Sequence, residues 1–131
     1  MDNKAWAQEV AKKIKEKELA VAKRNVGKVP YTAENGVFND CSGKEIGWWT
    51  NGFWGGMMWQ LYQATKEPVY KESAEELEKK LDAALMNYHV MDHDSGFRWL
   101  PTAVANYRQF GSDESKNRGM LAASNLAGRY N

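Results

Sequence analysis

Apolar residues recur at helical spacing through most of this chain, and the spacing predicts about five helices. Over residues 3–24, Trp6, Val10, Ile14 and Val21 form one stripe, with Lys12, Lys13, Lys15, Lys17, Lys23 and Arg24 around it. Glu9, Glu16 and Glu18 interleave with these cations, so the stretch reads as a solvated helix face rather than a polyanion site. The period is lost over 25–48, where Gly27, Pro30, Asn35, Gly36, Gly43 and Gly47 punctuate the chain. A connection this long without regular structure is uncommon in a compact domain and is usually functional.

Four helical stretches follow in two pairs. The first covers about 51–65, with Thr50 or Asn51 as its expected cap. The second, about 68–89, opens on Pro68 and carries the stripe Tyr70, Ala74, Leu77, Leu81, Leu85 and Tyr88. Its polar face pairs Glu75 with Lys79 and Glu76 with Lys80. The third covers about 98–110 with Trp99, Ala103, Val104, Tyr107 and Phe110. The fourth, about 113–129, has Ser112 as cap and Asp113 and Glu114 in its first turn. Gly119, Ala122, Ala123 and Ala127 keep one of its sides small. A shift of 45 residues lays Trp54 on Trp99, Tyr62 on Tyr107, Lys71 on Lys116 and Leu81 on Leu126. A helical hairpin repeating at that period implies an α-solenoid or an α/α toroid, in which each hairpin buries its face on its neighbours.

Composition narrows the picture. At 131 residues the chain reads as a single all-α domain over 1–131. Eighteen Lys and Arg against seventeen Asp and Glu leave a net charge of +1, which steers it toward neither nucleic acid nor an anionic membrane. The sequence has no apolar run of membrane-spanning length and no secretory h-region at its start. Its single cysteine, Cys41, excludes an internal disulfide and fits a reducing compartment, so a cytoplasmic location is expected. Six Trp and six Tyr, with Trp crowded near the middle, are the first hint of function.

Candidate chemistry gathers at two segments on the same end of successive hairpins, Trp48–Gly56 and Met91–Phe97. Trp54 and Trp59 fall within the helical pattern and read as core. Trp48 and Trp49 lie in a loop beside Gly47, where an aromatic face is a platform for a sugar ring. In Asp92-His93-Asp94, the bland reading has Asp92 end one helix and Asp94 cap the next. The chemical reading sets Asp94 against Phe97 and Trp99, where an apolar setting raises its pKa, with His93 as a hydrogen-bond donor. His89 and His93 are spaced i,i+4, yet no HExxH pattern accompanies them, and no metal site is expected. Cys41 has no activating partner nearby and reads as structural.

These strings resemble a known family. Trp49-Thr50-Asn51-Gly52-Phe53-Trp54, followed by His93-Asp94-Ser95-Gly96-Phe97, is similar to the unsaturated glucuronyl hydrolases of glycoside hydrolase family 88. Pro101-Thr102, Tyr107-Arg108 and Gly111-Ser112-Asp113-Glu114 fit the same pattern, so the resemblance runs from about residue 48 to the C-terminus. It implies the N-terminal part of an (α/α)6 toroid, here cut to about five helices. It also implies action on oligosaccharides that lyases leave with a 4,5-unsaturated uronic acid at the non-reducing end. Water adds across the vinyl ether and the resulting hemiketal collapses, with no metal or organic cofactor. Carried over, Asp94 matches the family's first essential aspartate, His93 its substrate-binding histidine, and Trp49 the aromatic that packs on the unsaturated ring. Asn51 and Phe53 belong to the motif without an assigned role.

The same resemblance sets limits. The family's principal acid/base aspartate lies beyond the residue matching Asn131, as do the groups that hold the uronate carboxylate. Six hairpins of this period need roughly 270 residues. The chain alone is therefore expected to be incomplete and inactive, with apolar surface exposed where a further hairpin docks, or to self-associate through the open end of its array. The alternatives are a non-catalytic helical-repeat carbohydrate-binding module and the related unsaturated rhamnogalacturonyl hydrolases.

Overall fold

The computed structural model describes residues 2–130; Met1 and Asn131 lie outside them. Helix α1 (Asn3–Asn25) is capped by Asp2, whose carboxylate accepts from the Lys4 amide. Its predicted stripe is buried only near the C-terminal end. Val21 and Ala22 are in the core, whereas Trp6 is 57% and Ile14 48% exposed. The reason is tertiary: only the later turns of α1 meet the helices that follow, where the Tyr70 hydroxyl donates to the Lys15 carbonyl at 3.3 Å. On the outer face Lys13 meets Glu9 at 2.7 Å and Lys12 meets Glu16 at 3.9 Å, all four largely exposed, as a solvated surface requires.

The 25–48 connection carries a small element that the lost period does not predict. Strands β1 (Ala33–Glu34) and β2 (Val37–Phe38) pair antiparallel around Asn35 and Gly36, both at positive φ. Asn-Gly is a strong signal for such a two-residue turn. Cys41 is buried beside this hairpin; burial and the neighbouring Glu45 carboxylate push its thiol pKa up, consistent with a structural role.

Helix α2 (Phe53–Thr65) follows a 3-10 turn over Trp49–Gly52. Neither Thr50 nor Asn51 caps it. The Asn51 amide instead donates to the carbonyls of Glu45 and Ile46, at 2.8 and 3.0 Å, and is wholly buried. The expected 68–89 helix breaks into α3 (Pro68–Lys80), α4 (Asp82–Leu85) and a 3-10 turn at Tyr88–Val90. Tyr70, Ala74, Leu77 and Leu81 are fully buried, but Tyr88 is 69% exposed and packs its ring under the Arg129 guanidinium. On α3, Lys71 pairs with Glu75 and Lys79 with Glu76, in place of the predicted partners.

The third stretch starts at Ser95, earlier than predicted, and runs as α5 (Ser95–Trp99), a π-helical segment (Leu100–Val104) and α6 (Ala105–Phe110). Pro101 lies in the π segment, where the missing N–H and the ring displace the regular ladder. Helix α7 (Asp113–Gly128) is capped by Ser112, whose hydroxyl accepts from the Ser115 amide at 3.3 Å.

The two hairpins superimpose in their turns as the repeat predicts. Lys66 (φ 63°, ψ 15°) and Gly111 (φ 72°, ψ 20°) each end a helix in the left-handed region, and each amide returns to a tyrosine carbonyl, Tyr62 and Tyr107. Trp54 and Trp99 are both core residues, 5% and 1% exposed. Hairpin packs on hairpin through small residues: a Cβ on Gly55 or Gly56 would lie within 3 Å of Thr102 or Pro101. The crossing is fixed by a buried polar knot with no obvious mark in the sequence. Glu78, 1% exposed, accepts from Asn106 (2.8 Å), Ser115 (2.6 Å) and Arg118 (3.0 Å). Arg118 also grips Asp82 with two bonds of 2.6 and 2.7 Å, which holds the guanidinium's pKa above its ordinary value. The result is an all-α fold of helical hairpins, with Met120 and Leu121 exposed on the outer side of α7. Among the described residues no helix is long and apolar enough to cross a membrane.

Candidate functional site

The two segments singled out by the sequence meet in space. A Cβ on Gly52 would fall 2.2 Å from the Phe97 carbonyl oxygen, and one on Gly47 would fall 2.5 Å from the Val90 Cβ. Glycine at these two positions lets the backbones of the segments approach. The ring of Trp49 then lies 5.7 Å from Phe53 and 5.7 Å from Phe97, edge-on to both, while Phe53 and Phe97 are 5.9 Å apart. Trp48 extends the group toward Tyr31, at 5.9 Å. These rings are not core: Trp49 is 38% exposed, Phe53 41% and Phe97 48%. The result is an aromatic surface of the kind that stacks on apolar ligand faces.

His93 and Asp94 stand on the turn entering α5. His93 is largely exposed, its Nε2 3.6 Å from Asp94 Oδ2, and the Asp94 side chain is about one quarter exposed. Asp94 occupies the N-cap position of α5 but makes no side-chain capping bond, so its carboxylate is not consumed by helix capping. The neighbouring Asp92 is the structural acid of the pair. Its Oδ1 accepts from the Asp94 amide at 3.1 Å and from Arg98 at 2.8 Å, and its carbonyl accepts from the Ser95 hydroxyl. Burial pushes the Asp92 pKa up, but the Arg98 hydrogen bond and charge outweigh it and hold the carboxyl below its usual range.

Arg98 is the residue that sequence reasoning missed. It is fully buried, with its guanidinium over the Trp99 ring at 5.2 Å. Its terminal nitrogens donate to the carbonyls of Gly47 and Val90 and to the Asp92 carboxylate. The signal that could have exposed it is an arginine one position before a core tryptophan, on the helix face that faces inward. His89 is exposed on the 3-10 turn.

No protein-family model matches the chain. Among curated proteins, it is 32% identical over 83 residues to an unsaturated chondroitin disaccharide hydrolase of Streptococcus pneumoniae, covering 63% of this chain and 21% of that protein. It is 29% identical over 83 residues to the unsaturated glucuronyl hydrolase of a Bacillus species, covering 63% of this chain and 22% of that protein. The chain therefore spans about a fifth of the length of the curated relatives it matches. In structure it is similar to the unsaturated glucuronyl hydrolase of Streptococcus agalactiae, with a TM-score of 0.69 at 25% identity over 88% of this chain and 31% of that one. A variant of that enzyme complexed with the disaccharide dGlcA-GalNAc6S gives a TM-score of 0.72 over 91% of this chain and 32% of that one. The resemblance carried by the motifs is borne out: in sequence and in structure the chain is similar to a part of the unsaturated glucuronyl hydrolases.

Proposed function

We propose that this chain provides part of the substrate site of a glycosidase of the unsaturated glucuronyl hydrolase type. The uronic acid, unsaturated between its fourth and fifth carbons, sits at the non-reducing end of a lyase-generated oligosaccharide and stacks on Trp49. The observation that carries this reading is the exposed aromatic cluster where the two segments meet, with Trp49 and Phe53 from one and Phe97 from the one that also bears His93 and Asp94. Relatives named for unsaturated disaccharides support it.

On this reading each residue has a defined task. Trp49 presents a flat apolar ring to the C–H face of the sugar. His93 is exposed and donates a hydrogen bond to a sugar oxygen. Asp94 supplies one of the two carboxyl functions that hydration needs. An acid delivers a proton to one alkene carbon, while water gives a proton to a carboxylate and its hydroxide to the other carbon. The hemiketal so formed opens and releases the next sugar, with one water consumed. Asp92 is held by Arg98 and is not free for the second task. On this reading the 131 residues correspond to the N-terminal part of a six-hairpin toroid, and by themselves they bind without turning over.

The test is an unsaturated chondroitin disaccharide, whose conjugated double bond absorbs in the ultraviolet. Tryptophan fluorescence of the chain is expected to report saturable binding, weakened on the order of ten-fold or more in Trp49→Ala. The absorbance of the disaccharide is expected to stay constant. Absence of binding overturns the reading. Bleaching that disappears in Asp94→Asn overturns the inactivity of the isolated chain and retains the assignment.

A further inference from the structure

We infer that Arg98 is the positioning residue of this site: its guanidinium locks the Trp49 platform and the His93–Asp94 turn into one rigid unit. The inference rests on the reading above for what the unit binds, but its geometry stands apart from that reading. Residues 43–49 hold themselves together by local turn bonds, from Ile46 to Gly43 and from Trp48 to Glu45, and these do not fix where Trp49 lies relative to another segment. Residues 88–95 are likewise joined by short-range bonds, from Met91 to Tyr88 and from Ser95 to Asp92. Arg98 reaches both segments. One terminal nitrogen donates to the Gly47 carbonyl, next to Trp48. The other donates to the Val90 carbonyl (2.6 Å) and the Asp92 carboxylate (2.8 Å). Asp92 passes the constraint on, because the same oxygen accepts from the amide of Asp94.

The choice of arginine follows from this geometry. A planar fork with donors on separate nitrogens satisfies two carbonyls on opposite segments at once, whereas a lysine ammonium offers all its donors from one point. A fully buried guanidinium carries a large desolvation cost, and an apolar side chain would fill the same volume without it. An apolar side chain would leave two part-buried carbonyls without this donor and remove the hydrogen bonds that tie the two segments together. The two glycines complete the joint: Gly47 lets the first segment close on Val90, and Gly52 lets it close on the Phe97–Arg98 backbone. The platform and the acid are thus preorganised before any ligand arrives.

Fluorine NMR of the fluorotryptophan-labelled chain tests this, with the Trp49 resonance assigned by Trp49→Phe and the deeply buried Trp59 as an internal control. In Arg98→Lys, the Trp48 and Trp49 resonances are expected to broaden while that of Trp59 is unchanged. Affinity for the unsaturated disaccharide is expected to fall on the order of ten-fold or more. Gly47→Ala, which keeps Arg98 and pushes the segments apart at Val90, is expected to do the same. Unchanged Trp49 line width and affinity in both variants overturns the inference. Equal broadening of Trp59 also overturns it, since the role of Arg98 would then be general stability. If the parent chain fails to bind the disaccharide, the proposed function falls, and the line widths still decide the role of Arg98.

Discussion

The two hairpins have the same local design and different surroundings. Their turns agree to within 10° at Lys66 (φ 63°, ψ 15°) and Gly111 (φ 72°, ψ 20°), and their leading tryptophans are both buried. Beyond the turns they diverge. Leu81 of the first hairpin is completely buried, whereas Leu126, its counterpart in the second, is 38% exposed. Gly52 and Gly55 are buried under the second hairpin, whereas their counterparts Phe97 and Leu100 are 48% and 60% exposed. Glu78 sits in the polar knot, and its counterpart Ala123 is exposed. A repeat therefore dictates backbone geometry, while burial is decided by what packs on each copy. The candidate site draws on this difference, because Phe97 is half exposed and meets Trp49 at 5.7 Å.

Substitutions at matched positions sharpen the contrast. The largest effect is expected at the knot: Glu78→Ala strands Arg118, Asn106 and Ser115 and should cost about 3–5 kcal/mol in urea unfolding. Ala123→Glu, forty-five residues on, should cost under about 0.5 kcal/mol. An equal loss at both would break the comparison. Next, Leu81→Ala should cost about 2–5 kcal/mol by cavity formation, and Leu126→Ala clearly less, read from the same unfolding midpoints.

The turns should show the opposite behaviour, since their geometry is shared. Lys66→Gly relieves a left-handed side-chain residue and should stabilise by roughly 1 kcal/mol. Gly111→Ala should destabilise by a similar amount, because no neighbouring atom lies within 4 Å of the added carbon and only the backbone cost remains. Differential scanning calorimetry would show two shifts of opposite sign.

The smallest effect expected is an acid one. The folded pKa of Asp92 lies below its unfolded value, so its contribution is complete above the unfolded value of about 4 and is lost as pH falls through the lower folded value. The acid arm of stability against pH should be shallower in Asp92→Asn than in the parent. Asp40, whose pKa is also lowered because bonds from Val29 and Ser42 outweigh its burial, retains its share in both.

Much of this was legible beforehand. The apolar stripe of α3, Pro68 in its first turn, the Ser112 cap and the 45-residue repeat are local patterns, and each appears where its chemistry requires. The misreadings share a different cause. Trp6 and Ile14 have helical spacing, but nothing in the sequence says that α1 is covered only near its end. Leu81 and Tyr88 belong to one stripe, yet the helix breaks between them as the chain turns to reach the site. The Asn35-Gly36 turn was readable and outweighed by the loss of period around it.

At the site the division is the same. Spacing along one chain is enough to put Trp49, His93 and Asp94 on two loops preceding equivalent helices. Packing in three dimensions is what makes these loops touch, binds Asp92 rather than Asp94 to the Arg98 guanidinium, and brings Arg98 within hydrogen-bond reach of both segments. Those facts depend on contacts between residues up to 51 positions apart, and such pairings are set by the packing of one hairpin on the other.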